Sequence, residues 1–362
     1  MKQIILHIIP RFYPGGAERL VLEYATHLDY KKFDMHVASA VAGGELLPLF
    51  EQTEASLVVA KHSGLFGRIQ TLLRLKAYIK EVQPDIMHTH LLSGDGTGFL
   101  MSLFFPRIIW VSTMHNTQEY RPLLHRVFWK IALKRVNKVI AVSKNVETYV
   151  IKKFGVSKEK VTTIPNGIDL RAWKAISSNL LFDSKPYQFA TVGRLEEQKG
   201  HTYLLDALAM LEHTHWEYHV YGDGSRAAQL KKQAERVGIA NKVQFHGLVD
   251  DVPERLASID LVIQPSLWEG MSLTVMEAMA ASRPVLATEP AAEGILEHKK
   301  TGYVVPPQDA DALARAVGDI LDHTDEAVRV AKQGREKAEG TFDITKNVDT
   351  VEKLYQSLVT SR

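Results

Sequence analysis

The sequence predicts an α/β protein built as two doubly wound domains facing across a cleft. Short apolar strands alternate with amphipathic helices, the alternation restarts near mid-chain, and a length of 362 residues favours two cores over one. An apolar fraction of 45% and a charged fraction of 24% belong to an ordinary soluble globular chain. The absence of cysteine excludes disulfides and thiolate metal sites, and it fits a reducing compartment. No run approaches the roughly 18 apolar residues that suggest a spanning helix. The start, MKQIILHIIPRFYPGG, breaks its apolar run at His7 and ends it at Pro10-Arg11 without a small-residue cleavage site. A buried first strand is expected there rather than a secretory leader.

In the first half, QIILHII (3–9) reads as that strand. Ala17, Leu20, Val21, Tyr24, Ala25 and Leu28 then recur at helical spacing. Further strands are expected at 35–41, 56–60, 85–90, 108–115 and 138–143, with helices near 66–82 and 122–136. The second half places strands at 187–193, 216–222, 242–247, 260–266 and 284–288. Its helices fall near 200–212, 225–237, 272–281, 309–321, 325–339 and 345–359. Strands alternating with helices predict parallel sheets covered on both faces. Such sheets bind ligands at the carboxyl ends of their strands.

Charge divides unevenly. Residues 1–170 hold 22 Lys and Arg against 14 Asp and Glu, and residues 171–362 hold 22 against 28. A basic half joined to an acidic half suggests that the first meets an anionic surface or acceptor. Nothing calls for nucleic acid as a partner.

Several constellations follow strands. PGGAERL (14–20) opens a helix after the first strand, where Gly15 and Gly16 let backbone approach an anion. It lacks the GxGxxG dinucleotide pattern, and a plain strand-to-helix turn is the competing reading. In VGRLEEQKG (192–200), Arg194 and Lys199 sit where a diphosphate could be clamped. In EGMSLTVMEAMA (269–280), Ser272, Leu273 and Thr274 form a first helical turn with free N–H groups. Glu269 and Glu277 flank that turn, and a paired-acid glycosidase is the rival chemistry. His115 ends a strand, and His88 and His90 share one strand face, a spacing compatible with a metal pair but lacking a further ligand. The basic segment 121–144, with Arg126, Lys130, Lys134, Arg135 and Lys138 around Phe128 and Trp129, suits either an anionic membrane surface or a solvated helix face.

Together these pieces resemble the retaining GT-B glycosyltransferases of family four, whose hallmark is a glutamate, seven intervening residues and a second glutamate. Here it reads E-GMSLTVM-E, Glu269 to Glu277. PGGAE (14–18), HTH (88–90), MHN (114–116), AVS (141–143), PNGID (165–169), GRL with QKG (193–200), GDG (222–224) and TGYVVPP (301–307) match in order. Two departures stand out: Gly270-Met271-Ser272 where Gly-Phe-Gly is frequent, and Ala291-Ala292 where a Gly-Gly pair is usual.

The resemblance implies two Rossmann-like domains, 1–170 binding the acceptor and 171–344 binding a nucleotide sugar. A last helix, 345–362, crosses back to the first domain. It implies that His115, Arg194, Lys199 and Glu269 serve catalysis. Gly15, Gly16, Asn166, Gly193, Gly224, Ser272, Leu273, Thr274 and Glu277 would bind the donor. Arg194 and Lys199 would hold the diphosphate, Glu277 the ribose and Glu269 the donor sugar. The implied reaction moves a sugar from a UDP- or GDP-linked donor to a glycan, lipid-linked or other hydroxyl, with retention and with neither cofactor nor metal. A UDP-sugar 2-epimerase and a non-catalytic nucleotide-sugar-binding subunit are the alternatives. The expected location is cytoplasmic, with peripheral attachment at the inner membrane face as an option.

Overall fold

A computed structural model describes residues 2–361 except 62–63, 118–122, 175–181, 183–184 and 212–214, and omits the side chains of 64–66 and 126. The chain divides into two compact units, one of Met1–Gly167 with Ile344–Arg362 and one of Ile168–Asp343.

The first unit runs β1 (Gln3–Ile9), α1 (Gly16–His27), β2 (Phe33–Ser39), α2 (Leu47–Phe50), β3 (Ser56–Val58), α3 (Gly64–Val82) and β4 (Ile86–His90). It continues through α4 (Leu91–Phe104), β5 (Ile109–Met114), α5 (Leu123–Arg135), β6 (Lys138–Ala141), α6 (Lys144–Phe154) and β7 (Val161–Thr163). Its strands form one parallel sheet in the order β3-β2-β1-β4-β5-β6-β7. Both faces of that sheet are covered, so β1 is apolar along nearly its whole length rather than alternating.

The second unit holds β8 (Tyr187–Val192), α7 (His201–Ala209), β9 (Trp216–Tyr221), α8 (Ala227–Arg236), β10 (Val243–Gly247), α9 (Val252–Leu256) and β11 (Leu261–Gln264). Then come α10 (Leu273–Ala280), β12 (Val285–Thr288), α11 (Glu289–Ala292), β13 (Tyr303–Val305), α12 (Ala310–Asp322) and α13 (Thr324–Thr341). The parallel sheet order is β10-β9-β8-β11-β12-β13. In each unit the strand order reverses beside its first strand, between β1 and β4 and between β8 and β11. Ligands of open parallel sheets sit at the carboxyl ends of strands at such a point.

The last helix, α14 (Ile344–Thr360), belongs to the first unit. Ile344, Val348, Val351 and Tyr355 recur at steps of three and four and join the same core as Ile5, Val21, Phe33 and Ile86. Glu352 Oε1 accepts from the Asp29 backbone N–H at 2.8 Å, which fixes the helix against the end of α1.

Seven of these elements have no counterpart in the sequence reading: α2, α4, α6, β7, α9, α11 and β13. In α4 the residues Gly94, Gly96 and Gly98 lower helix propensity and hide the pattern. Packing explains two of them, because a Cβ on Gly94 would stand 2.7 Å from the Ile8 carbonyl oxygen and one on Gly98 2.5 Å from Thr89 Cγ2. The two short strands have three residues each, too few for any periodicity.

Candidate functional site

In the second unit the site is built from the ends of β8 and β11. Gly193 follows β8, its N–H donating to the Tyr221 carbonyl at 2.9 Å, and Arg194 comes next, exposed. The loop at 222–224 packs directly on this turn. A Cβ on Gly222 would lie 1.9 Å from the Gly193 oxygen, and one on Gly224 would lie 2.6 Å from the Leu195 oxygen. Gly224, expected at the donor, thus also makes room for the turn that carries Arg194.

Lys199 ends a short 3-10 turn, Glu197–Lys199, closed by Gly200 at φ 64°. Only glycine fits there, since a Cβ would fall 2.0 Å from the Pro265 carbonyl oxygen. That close approach presses the turn against the end of β11, and the Leu267 N–H donates to the Gln198 carbonyl at 2.7 Å. Lys199 Nζ consequently meets Glu269 Oε1 at 2.6 Å, with side chains only 14% and 8% exposed. Ser266 Oγ donates to the same Glu269 oxygen at 2.9 Å, and Gln198 Nε2 donates to the other at 3.2 Å. Arg194 Nη2 reaches Gln198 Oε1 at 3.4 Å, so the two cations and the acid share one polar cluster. Gln198 and Ser266 were not among the expected site residues. Their signal is visible only in hindsight: Ser266 sits three positions before the Glu269 it donates to, and Gln198 four positions after the Arg194 it accepts from.

The start of α10 completes this half. Ser272 is the N-cap residue but makes no side-chain cap, and its buried hydroxyl finds no partner among the described residues. Thr274 Oγ1 instead donates to the Val192 carbonyl at 3.1 Å, tying the helix start to β8. The first-turn N–H groups are therefore not taken by a capping side chain, which suits an anion. Along α10 only Leu273 and Glu277, four apart and on one face, are not fully buried. The rest of the helix anchors it in the core.

The first unit places Gly15 and Gly16 after β1, His115 after β5 and Asn166 after β7. Gly15 is the N-cap of α1. A Cβ there would stand 2.5 Å from Glu18 Oε2, so the helix start already carries a carboxylate beside it. Asn166 is buried beside Pro165, whose carbonyl accepts from Asn347 of α14. His115 is partly exposed, and its Nε2 lies 3.0 Å from His90 Nδ1. Burial pushes His7 and His115 down to about 3 and holds His88 and His90 well below 6.5, with neighbouring histidines adding to the effect on the last two. All four are neutral near pH 7.

His88 and His90 do gain a third neighbour, His7, with one nitrogen from each within 4.8 Å of the others. Among the described residues no carboxylate joins that group, and the nitrogens of all three rings are engaged in hydrogen bonds.

The basic segment 121–144 also differs from expectation. Arg121 and Pro122 lie outside the described residues, as does the Arg126 side chain. Trp129 is buried and donates from Nε1 to Asp95 Oδ2 at 2.9 Å, and Arg135 donates to the Ser102 side chain and carbonyl. The exposed apolar surface comes from Leu123, Leu124, Val127 and Ile131 instead. No helix of the described residues is long and apolar enough to cross a membrane.

The chain matches two family models in succession: glycosyltransferase family 4 over residues 14–172 and glycosyl transferases group 1 over residues 174–337. The UDP-Gal:alpha-D-GlcNAc-diphosphoundecaprenol alpha-1,3-galactosyltransferase of Escherichia coli is 24% identical, over 96% of this chain and 95% of its own. The lipopolysaccharide core biosynthesis mannosyltransferase LpsB of Rhizobium meliloti is 25% identical over 65% of this chain and 70% of its own. Among solved structures, Anabaena HepE in complex with UDP and glucose superposes with a TM-score of 0.87 at 23% identity, covering 98% of this chain and 100% of that one. That likeness shows the GT-B fold.

Proposed function

The chain belongs to the group 1 glycosyltransferases, which use nucleotide sugars, and on that premise we propose that it transfers a hexosyl group, with retention and without a divalent metal, from a UDP- or GDP-linked sugar to a lipid-linked or other glycan hydroxyl. The observation that carries this reading is the Lys199–Glu269 pair beside Arg194 and the uncapped start of α10. As the bond from the anomeric carbon to the diphosphate breaks, negative charge grows on the leaving oxygen. Two cations and a helix N-terminus stabilise that charge more in the transition state than in the ground state. The acceptor hydroxyl forms the new bond on the same face, and its proton passes to the departing phosphate oxygen. Glu269 would orient the sugar and Glu277 the ribose.

The named relatives act in lipid-linked and lipopolysaccharide synthesis, and the first unit has a surface suited to such an acceptor. Leu123 and Leu124 are 72% and 78% exposed, followed by Val127 and Ile131 on α5 and by Leu100, Leu103 and Phe104 on α4, the helix it packs against. Lys130, Lys134 and Arg135 lie exposed on the same segment, and Lys76 of α3 sits 3.7 Å over the Phe104 ring. Aliphatic side chains ringed by cations fit an anionic lipid surface.

A thermal-shift panel of UDP, GDP, ADP and their sugars tests the donor reading. One base should stabilise the protein, by about 2.7 kcal/mol at 100 times its dissociation constant. No shift with any of them would end it. Free nucleotide and an epimerised sugar formed without acceptor would mark the epimerase instead.

A further inference from the structure

Six side chains of the first unit form one hydrogen-bonded row that ends at His115. Thr113 Oγ1 lies 2.6 Å from His88 Nε2, and His88 Nδ1 lies 2.5 Å from the Tyr355 hydroxyl. That hydroxyl is 3.2 Å from His7 Nε2, His7 Nδ1 is 3.0 Å from His90 Nε2, and His90 Nδ1 is 3.0 Å from His115 Nε2. All but His115 are fully buried, on β1, β4, β5 and the returning helix α14.

A neutral imidazole has one N–H and one lone pair, and a hydroxyl has one hydrogen to give. Each contact needs one donor, so the direction at any one contact fixes all the others. Two arrangements are possible, and they differ in what they leave unmet at Thr113. If His88 donates to Thr113, the buried threonine hydrogen has no acceptor, because its oxygen meets no other group among the described residues. If Thr113 donates to His88, every hydrogen from Thr113 to His90 finds an acceptor, and only the Nδ1–H of the partly exposed His115 is left over. A buried donor left unmet is costlier than an unused oxygen lone pair.

We propose that this row, set at one end by Thr113 and joined through Tyr355, fixes His115 as the Nδ1–H tautomer. The histidine then has a hydrogen-bond donor, not an acceptor, to offer its ligand. Resting on the glycosyltransferase reading, that donor suits a phosphate or sugar oxygen of the nucleotide sugar. Thr113, His88, Tyr355, His7 and His90 are positioning residues. The row also gives α14 a task beyond packing, since without Tyr355 it is interrupted between His88 and His7.

Nitrogen NMR of the full chain carrying 15N-labelled histidine reads tautomers directly. In the wild type, His7, His88, His90 and His115 should all carry their proton on Nδ1. Thr113→Asp puts an obligate acceptor beside His88 Nε2, and all four should then reverse together to Nε2–H. Turnover should fall by about tenfold, the scale of losing a hydrogen bond to a charged group. A purely local disturbance of β5 would leave His7 unchanged. The wild-type spectrum needs no variant to fold, and His115 found as Nε2–H there overturns the proposal. So does a folded Thr113→Asp protein in which His115 keeps its Nδ1 proton. Concerted reversal with unchanged turnover upholds the row and removes His115 from the chemistry, which separates failure of the functional reading from failure of this one.

Discussion

The two units use one topology for opposite electrostatics. At the end of β8 and β11 the second unit assembles full charges: Arg194, and Lys199 paired with Glu269 at 2.6 Å. Within β1 and β4 and after β5 the first unit assembles neutral histidines, kept uncharged by burial and ordered through one another. A charged cluster can answer a diphosphate whose charge grows during reaction. A neutral, hydrogen-bonded one can only orient a proton. Two sheets of one strand order thus supply charge in one half and direction in the other.

Removing charge should break this contrast most. Lys199→Ala is expected to lower kcat by about 100-fold or more, the scale of deleting one preorganised donor at a developing anion. Stability should fall by only about 1–3 kcal/mol, because Glu269 keeps Ser266 and Gln198 as partners. Steady-state kinetics beside a urea melt decides it, and wild-type turnover would remove the leaving-group role.

Glu269→Gln comes next. The amide keeps the shape, frees Lys199 from its ion pair and leaves one accepting oxygen where the carboxylate offers two to Ser266 and Gln198. Free nucleoside diphosphate should bind at least as tightly as before, while kcat/KM for the nucleotide sugar drops by about tenfold. Titration calorimetry with both ligands separates the two effects. Equal loss for both would place Glu269 at the nucleotide rather than the sugar.

How much of this was legible beforehand differs between the halves for a physical reason. Charged residues next to glycines announce themselves: Arg194, Lys199, Glu269 and the α10 start were all readable as motif pieces. The strand rhythm was readable too, because buried parallel strands are continuous apolar runs. What hid was anything made by distant residues meeting. Tyr355 joins His7 and His88 across 348 and 267 positions of chain. The spacing of His88 and His90 was compatible with a metal pair but lacked a further ligand, while the hydrogen-bond partners, Thr113 and Tyr355 for His88 and His7 and His115 for His90, were out of view. Trp129 read as part of an amphipathic face, but its indole N–H satisfies the buried Asp95 carboxylate.

The neutral half should reveal itself in acid. His7, His88, His90 and His115 all have depressed pKa values when folded, so their contribution is fully present above the unfolded value near 6.5. It is lost as pH falls from there toward 3, at up to about 1.4 kcal/mol per pH unit for each histidine still neutral in the fold. Asp95 acts in the opposite sense, since burial raises its pKa, but it is one group against four. In the second unit, His201 is pushed down to about 4 by burial, with Lys199 adding to it, and the half-buried His219 and His246 are lowered too. Amide exchange at pH 7 and pH 5 should show β4 and β5 losing more protection than β8 and β11. Equal loss in both sheets would mean that the histidines of the first unit are not the acid-sensitive element.

The smallest expected effect lies on the surface of the first unit. Leu123→Ser with Leu124→Ser removes two exposed side chains that support nothing in the core, so stability should move by less than about 0.5 kcal/mol. Binding to vesicles containing anionic lipid should weaken by about tenfold, the change expected when two partly inserted leucines are lost. Salt should weaken what remains, because Lys130, Lys134 and Arg135 act through a screened field. Sedimentation with neutral vesicles is the control. If wild type and variant bind both kinds of vesicle equally, the exposed leucines serve another surface, and the basic first half owes its charge to something other than lipid.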